Sequence, residues 1–361
     1  MAAALEALPQ SLLKAPVGIA VSGGSDSLAL LKLMQDWARP RGAVLLAMTV
    51  DHGLRPEAAA EAEQVAALCR AAGTDHVTLR LSGAAPRQSL LRRRRHAAMA
   101  GTLRDRSGHL LLTGHTADDQ AETFLMRARQ GSGWYGLAGM RTLSLSPVWP
   151  EGAGVFVARP LLGLRRAALQ AWLTARGDIW TDDPSNENMA FERVRVRRLL
   201  RDNPALAGRI LGLVQGFAAL RRIEDRAISA WMQRDVSAAP NGLVVSDLAG
   251  LTPERAARSL SLLIQITAGR ESPPRGESLT RLAKNIVTEG KFRGATLGGV
   301  KISPRPDGLL LQPEERAPRV NDTAARNWRL AALCAVLSGT ASEIDAVAGK
   351  ESFLGDLMPI F

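Results

Sequence analysis

A six-residue segment, Ser22-Gly23-Gly24-Ser25-Asp26-Ser27, stands between an apolar run, Val17 to Val21, and the apolar-rich stretch from Leu28 to Met34. That order reads as strand, tight loop, helix. Two central glycines let the backbone turn sharply and approach a ligand closely, and the hydroxyls and amides at a helix start can hold a phosphate. The expected ligand is a nucleotide pyrophosphate. The segment lacks both the Gly-Lys-Ser/Thr ending and the three-glycine spacing of the commoner phosphate loops. A serine-rich helix cap is the plainer alternative, but the flanking strand and helix favour the phosphate site.

Two further apolar runs end in polar residues. Val44 to Val50 leads into Asp51-His52-Gly53-Leu54-Arg55, and Leu110 to Thr113 leads into Gly114-His115-Thr116-Ala117-Asp118-Asp119-Gln120. Short apolar strands alternating with amphipathic stretches such as Glu57 to Ala72 imply an α/β fold with a doubly wound parallel sheet. Ligands of such sheets bind beyond the carboxyl ends of the strands. All three polar segments therefore face one site.

The third segment supplies acidic chemistry. With a helix starting near Asp118, Asp118 sits at the cap, while Asp119 and Glu122 share a face and can hold magnesium or grip an ammonium group. Acidic residues favoured by the helix dipole are the bland alternative, which accounts less well for the adjoining His115, Thr116, Gln120 and Thr123. His52 and His115 read equally well as nucleotide contacts or as loop-closing residues.

The chain of 361 residues carries 46 Lys and Arg against 35 Asp and Glu, a formal charge of +11. A field of that sign concentrates polyanions, and arginine grips phosphate through a planar fork. Arg92 and Arg95 form one cluster; Arg193, Arg195, Arg197, Arg198 and Arg201 form a second, with opposite charges scarce nearby in sequence. Phosphate contact with a nucleic acid or a nucleotide is the favoured reading of that stripe over a solvated charged face. No apolar run reaches membrane-spanning length and the start lacks a basic secretion signal, so a cytoplasmic protein is expected. Cys69 and Cys334 suit neither a metal knuckle nor a redox pair and are expected to be buried thiols.

In combination, Asp51-His52-Gly53-Leu54-Arg55, Arg92 to His96, Gly114 to Thr123, Gly131-Ser132-Gly133 with Gly136-Leu137-Ala138-Gly139-Met140, and Asp183-Pro184-Ser185-Asn186 resemble the ordered signatures of the tRNA(Ile)-lysidine synthetase family. That family lies within the PP-loop ATP pyrophosphatases, whose fold is adenine nucleotide alpha hydrolase-like. The resemblance spans roughly the first 200 residues. It implies adenylation of the wobble cytidine of a CAU-anticodon tRNA(Ile), followed by attack of free L-lysine, with ATP and Mg2+ required and a homodimer as one admissible assembly.

What the resemblance implies for single residues is specific. Ser22, Gly23, Gly24, Ser25, Asp26 and Ser27 cradle the ATP phosphates, with Asp51, His52, Gly114 and His115 also at the nucleotide. Asp26 and Asp119 share magnesium. Asp26, Asp119, Glu122 and Arg195 are the catalytic groups, and Arg92, Arg95, Asp119, Glu122, Arg193 and Arg197 bind substrate, the two carboxylates being the expected anchors of lysine. Three departures stand out: His96 where the family has tyrosine, Gln130 before Gly131 where it has arginine, and Val194 after Arg193 where it has asparagine.

Three domains are expected: a catalytic domain over 1–204, a helical tRNA-binding domain over 205–290 and a small module with a β-hairpin over 291–361. A tRNA-thiolating enzyme would share the phosphate loop but needs catalytic cysteines or a CxxC arrangement that this chain lacks. An amidotransferase-type synthetase needs an ammonia source. A non-catalytic RNA-binding protein would need the arginines but not Asp26, Asp119 and Glu122.

Overall fold

A computed structural model of the chain describes residues 1–51, 53, 57–81, 88–181, 188–288, 292–314 and 323–348. The chain divides into two compact units, Met1–Ser146 with Val155–Ile223, and Pro147–Gly154 with Glu224–Phe361.

In the first unit, helices α1 (Ala2–Glu6) and α2 (Ser11–Lys14) precede β1 (Val17–Ala20) and α3 (Ser25–Ala38). The alternation continues through β2 (Leu45–Asp51), α4 (Glu57–Ala71), β3 (Asp75–Arg80), α5 (Gln88–Arg104), β4 (Leu110–Leu112) and α6 (Ala117–Arg129). There follow α7 (Trp134–Leu137), β5 (Leu143–Leu145), β6 (Phe156–Ala158), α8 (Arg166–Ala175), α9 (Glu192–Asp202) and the long α10 (Pro204–Asp235). The strands form one six-stranded sheet in the order β3-β2-β1-β4-β6-β5. All neighbours are parallel except β5, which pairs antiparallel with β6. The expected parallel sheet is present, with one antiparallel edge.

Strands covered on both faces read as continuous apolar runs, and Leu110, Leu111, Leu112, Phe156, Val157 and Ala158 are all buried. One face is closed by Met99, Ala100 and Leu103 of α5, which pack on Leu46, Met48, Leu111 and Val157. The strand order reverses between β1 and β4, so the ligand crevice of such sheets falls at their carboxyl ends. Gly114 follows β4 there. A Cβ on it would come within 3.0 Å of the Asp26 backbone, so glycine is what lets the end of β4 abut the first turn of α3.

The expected division after residue 204 is not where the chain divides. Ala207, Ile210 and Val214 of α10 pack against Ala121 and Phe124 of α6 and Leu200 of α9, which ties the first part of α10 to the sheet-bearing unit. The second unit comprises the rest of α10, β7 (Val236–Ala239), β8 (Gly242–Val245), α11 (Pro253–Thr267), α12 (Gly276–Thr288), β9 (Ala295–Leu297), β10 (Val300–Arg305), β11 (Gly308–Pro313), α13 (Thr323–Ser338) and α14 (Ala341–Ala348). Its five strands form an antiparallel sheet ordered β7-β8-β11-β10-β9. The hairpin expected near the C-terminus is β10–β11. One core joins Ile228, Leu260, Leu282, Val300, Leu311 and Leu337, so the helical segment and the hairpin are a single body rather than two modules. Trp149, from the inserted Pro147–Gly154, stacks on Trp328 within this unit.

Gly114→Ala should destabilise the chain by about 1–3 kcal/mol, the ordinary range for overpacking a tight contact. A urea unfolding midpoint equal to that of the parent chain would show that the close approach carries no load.

Candidate functional site

The serine-glycine loop joins β1 to α3. Gly23 has φ 84°, a left-handed conformation that glycine adopts without strain. Ser27 Oγ accepts from the Ser22 N–H at 3.0 Å and donates to the Gly24 carbonyl at 3.0 Å, while the Thr181 N–H braces the Gly23 carbonyl at 3.1 Å. Gly24 is the N-cap of α3 and supplies no side-chain cap. The first-turn amides thus have no partner within the helix, and a Cβ on Gly23 or Gly24 would meet nothing nearer than 3.8 Å. Amides unused within the helix, the positive end of its dipole and backbone bare of side chains fit a phosphate chain.

The carboxylates come from α6. Its N-cap is Thr116 rather than Asp118, and Asp119 closes a capping box, its Oδ2 accepting from the Thr116 N–H at 2.8 Å and the Thr116 hydroxyl at 2.9 Å. Asp118 caps a different helix: its Oδ2 accepts from the Arg166 N–H of α8 at 2.7 Å. The remaining Asp119 oxygen and the Glu122 carboxylate, three residues apart, share the face expected of them.

Three arginines close on these acids. Arg193 donates from Nη2 to Asp119 Oδ1 at 2.8 Å and from Nε to Glu122 Oε2 at 2.7 Å. Arg197, one turn later on α9, donates from Nε to Glu122 Oε1 at 2.8 Å. Arg166 donates to Asp26 Oδ2 at 2.8 Å and lies 3.5 Å from Asp119 and 3.6 Å from Glu122. The loop after β1 and the acids after β4 therefore meet on one guanidinium. Burial raises Asp26 above the ordinary carboxylate range despite Arg166. For Asp119, Arg166, the Thr116 N–H and Arg193 outweigh burial and hold it low. Burial works against Arg166 too, yet Asp26 and Asp119 raise its proton affinity well above the usual value.

Other expected residues are placed as follows. Arg195 faces away from the acids and donates to the carbonyls of Met189 and Ala190 at 2.8 and 2.9 Å; helical geometry groups Arg193 with Arg197 and excludes the residue between them. Nor is the second arginine cluster short of acidic partners, since Arg193 and Arg197 find theirs in α6. Asp51 Oδ1 accepts from the Gly53 N–H at 2.8 Å, shaping its own turn. His115 Nδ1 shares a 2.9 Å hydrogen bond with the Thr113 hydroxyl. Arg92 and Arg95 lie on α5. His52, Leu54, Arg55 and Asp183-Pro184-Ser185-Asn186 lie outside the described residues. Among the described residues no three His, Cys, Asp or Glu side chains form a metal cage, which limits magnesium to one or two carboxylates supplemented by substrate phosphates.

Arg166 is the residue sequence reading missed. A signal existed: Arg165-Arg166 opens α8 without an acid in its first turn, an unfavourable place for positive charge at a helix start that distant carboxylates must offset.

Two histidines here are held neutral. His96, 4% exposed, is pushed down to about 3 by burial and by Arg95, Arg92 and Arg159; His115 is pushed to about 4 by burial and Arg159. An unfolded histidine takes its proton near pH 6.5. Between that pH and about 4 the unfolded chain binds protons that the fold does not, so stability falls as pH drops. Urea midpoints should decline from pH 7 to pH 5, and His96→Gln should flatten the decline; an unchanged slope in the variant would contradict the assignment.

Comparison with known proteins gives the site its context. The family model described as a PP-loop domain matches residues 2–203. The chain is 65% identical over 359 residues to tRNA(Ile)-lysidine synthase of Hyphomonas neptunium, covering 99% of this chain and 97% of that one. It is 40% identical over 316 residues to the protein of that name in Novosphingobium aromaticivorans, covering 85% and 92%. With the Caulobacter vibrioides protein of that name it shares 35% identity over 312 residues, covering 85% and 69%.

Proposed function

Because the chain belongs to the tRNA(Ile)-lysidine synthase family, we propose that it spends ATP to activate the wobble cytidine of a CAU-anticodon tRNA(Ile) and joins free L-lysine to that base. The observation that carries the reading to this chain's own residues is the convergence of Asp26, Asp119 and Glu122 on Arg166 beside the serine-glycine loop.

The chemistry explains the parts. Cytosine O2 is a poor leaving group, so it attacks the α-phosphorus of ATP, forming an O–P bond as the bond to the β-phosphate breaks and pyrophosphate leaves. A lysine amine then attacks C2, a C–N bond forms, AMP departs with the oxygen, and the amine gives up a proton. The loop from Ser22 to Ser27 and the start of α3 hold the phosphates in this scheme. Asp26 and Asp119 would hold magnesium together with those phosphates, and the ion would neutralise charge on the leaving pyrophosphate.

Asp119 and Glu122 anchor the lysine ammonium, since a cation in a partly dry pocket needs anionic partners. Their present partners are themselves cations. Arg193 and Arg197 thus keep the two carboxylates of an ammonium site aligned, and Arg166 links that site to the phosphate loop. Thiolation is not favoured: Cys69 and Cys334 are buried thiols, as expected, and burial lifts them to about 11 and about 12, far from the reactive range.

Purified chain incubated with ATP, magnesium, labelled lysine and a CAU-anticodon tRNA(Ile) transcript should move label onto the RNA. No transfer, beside a working family member, would overturn the reading. Asp119→Asn should cut turnover by about 10²-fold, the usual cost of one electrostatic contact to reacting groups. Arg166→Lys retains charge but not the three-way reach, and should raise the KM for lysine about tenfold with little change in RNA affinity; an unchanged lysine KM would count against the linking role.

A further inference from the structure

A second cluster lies on the same sheet edge, built from other elements. On α5, Arg92, Arg95 and His96 fall at positions that share one helix face. Arg159 follows directly on β6, where its Nη1 donates to the Arg141 carbonyl and the Ser144 hydroxyl, each at 3.0 Å. His115 follows β4, and β4 and β6 are paired neighbours. Arg95, Arg92, Arg159 and His115 all act electrostatically on His96, and Arg92 acts on both Arg95 and Arg159. These groups surround one spot.

Two buried nitrogens there have no hydrogen-bond partner among the described residues, His96 Nδ1 and Arg159 Nε. His96 is 4% exposed. Arg92 and Arg95 make no hydrogen bond or ion pair among the described residues. Asp119 is the acid that reaches the cluster, through His115, and its own oxygens are taken by Thr116, Arg193 and Arg166. Three guanidiniums depressed by burial, Arg95 and Arg159 further by Arg92 and Arg92 by Arg193, together with buried nitrogens lacking an acceptor among the described residues, make the donor set of an oxyanion site. An unsatisfied buried donor is costly, and a bound anion would recover that cost.

We propose that Arg92, Arg95, His96 and Arg159 form a pocket for a phosphodiester of the RNA substrate beside the reacting nucleotide, distinct from the ATP phosphate loop. This rests on the function proposed above. ATP phosphates have their own donors on the loop after β1 and the start of α3. A single lysine carboxylate would leave three guanidiniums undercompensated. An RNA strand brings successive phosphates, and the gradient from exposed Arg92 through half-buried Arg95 and Arg159 to buried His96 suits a strand laid across the mouth with one phosphate sunk in it. Here His96 stands where the resembling family has tyrosine, exchanging a phenol for a ring nitrogen that can donate to phosphate.

The test is equilibrium binding of a fluorescent CAU anticodon stem-loop RNA to the full chain across a salt series, with Arg95→Gln and Arg159→Gln beside the parent. Each variant should bind about tenfold more weakly, and its salt slope should shrink by about one, as expected for one lost phosphate contact. Affinity for a non-hydrolysable ATP analogue should not change. Arg159→Gln also removes two structural hydrogen bonds; Arg95→Gln removes none, so it carries the test if the other fails to fold. Unchanged RNA affinity and slope overturn the proposal. So does a fall confined to the affinity for the ATP analogue or pyrophosphate, or a rise confined to the KM for lysine, either of which assigns the cluster to another oxyanion. A parent chain that binds the stem-loop tightly but transfers no lysine defeats the proposed activity and leaves this pocket standing.

Discussion

Glu122 is 1% exposed and holds two guanidiniums at 2.7 and 2.8 Å. A carboxylate that deep is tolerated only if its charge is met, and removing one partner of such a network costs several kcal/mol, less where the arginines keep solvent contact. Everything about the site follows from meeting that charge. Arg193 and Arg197 draw α9 onto α6, and Arg166 draws the start of α8 toward Asp26, so elements distant in sequence close around the carboxyl ends of β1 and β4. The resulting cluster sets Asp26, Asp119 and Glu122 against Arg166, Arg193 and Arg197, with Asp119 and Glu122 buried.

The sheet decides where this happens. Strand order reverses between β1 and β4, and Gly114 lets the two strand ends approach within van der Waals contact of each other's loops. The serine-glycine loop after β1 and the segment that leads into α6 are thus brought close together at the carboxyl ends of the strands. The proposed two-step chemistry needs that proximity, because O2 must be adenylated before the amine attacks the C2 that carries it.

Much of this was legible in the sequence where signals are local. The apolar runs gave β1, β2 and β4, the polar residues after them marked the ligand edge, and the three-residue spacing of Asp119 and Glu122 put them on one face. What was hidden depends on distant partners. Asp118 caps α8 rather than its own helix, because the acceptor that α8 needs comes from another segment. Arg195 looked equivalent to Arg193 and Arg197 until the helical period separated them, and Arg166 carried no motif. The domain boundary was misplaced because α10 is one continuous helix that serves two cores, Ile210 and Val214 in one and Ile228 in the other. The hairpin of β7 and β8 was too short to register beside the long helix that precedes it.

On the proposed function the serine-glycine loop and the acids of α6 serve one nucleotide. A crystal structure of the full chain with a non-hydrolysable ATP analogue tests it most directly. The β- and γ-phosphates are expected against the amides from Gly24 to Ser27, with Asp26 and Asp119 flanking the phosphate chain. A nucleotide seated elsewhere, with the loop and the carboxylates untouched, would contradict it.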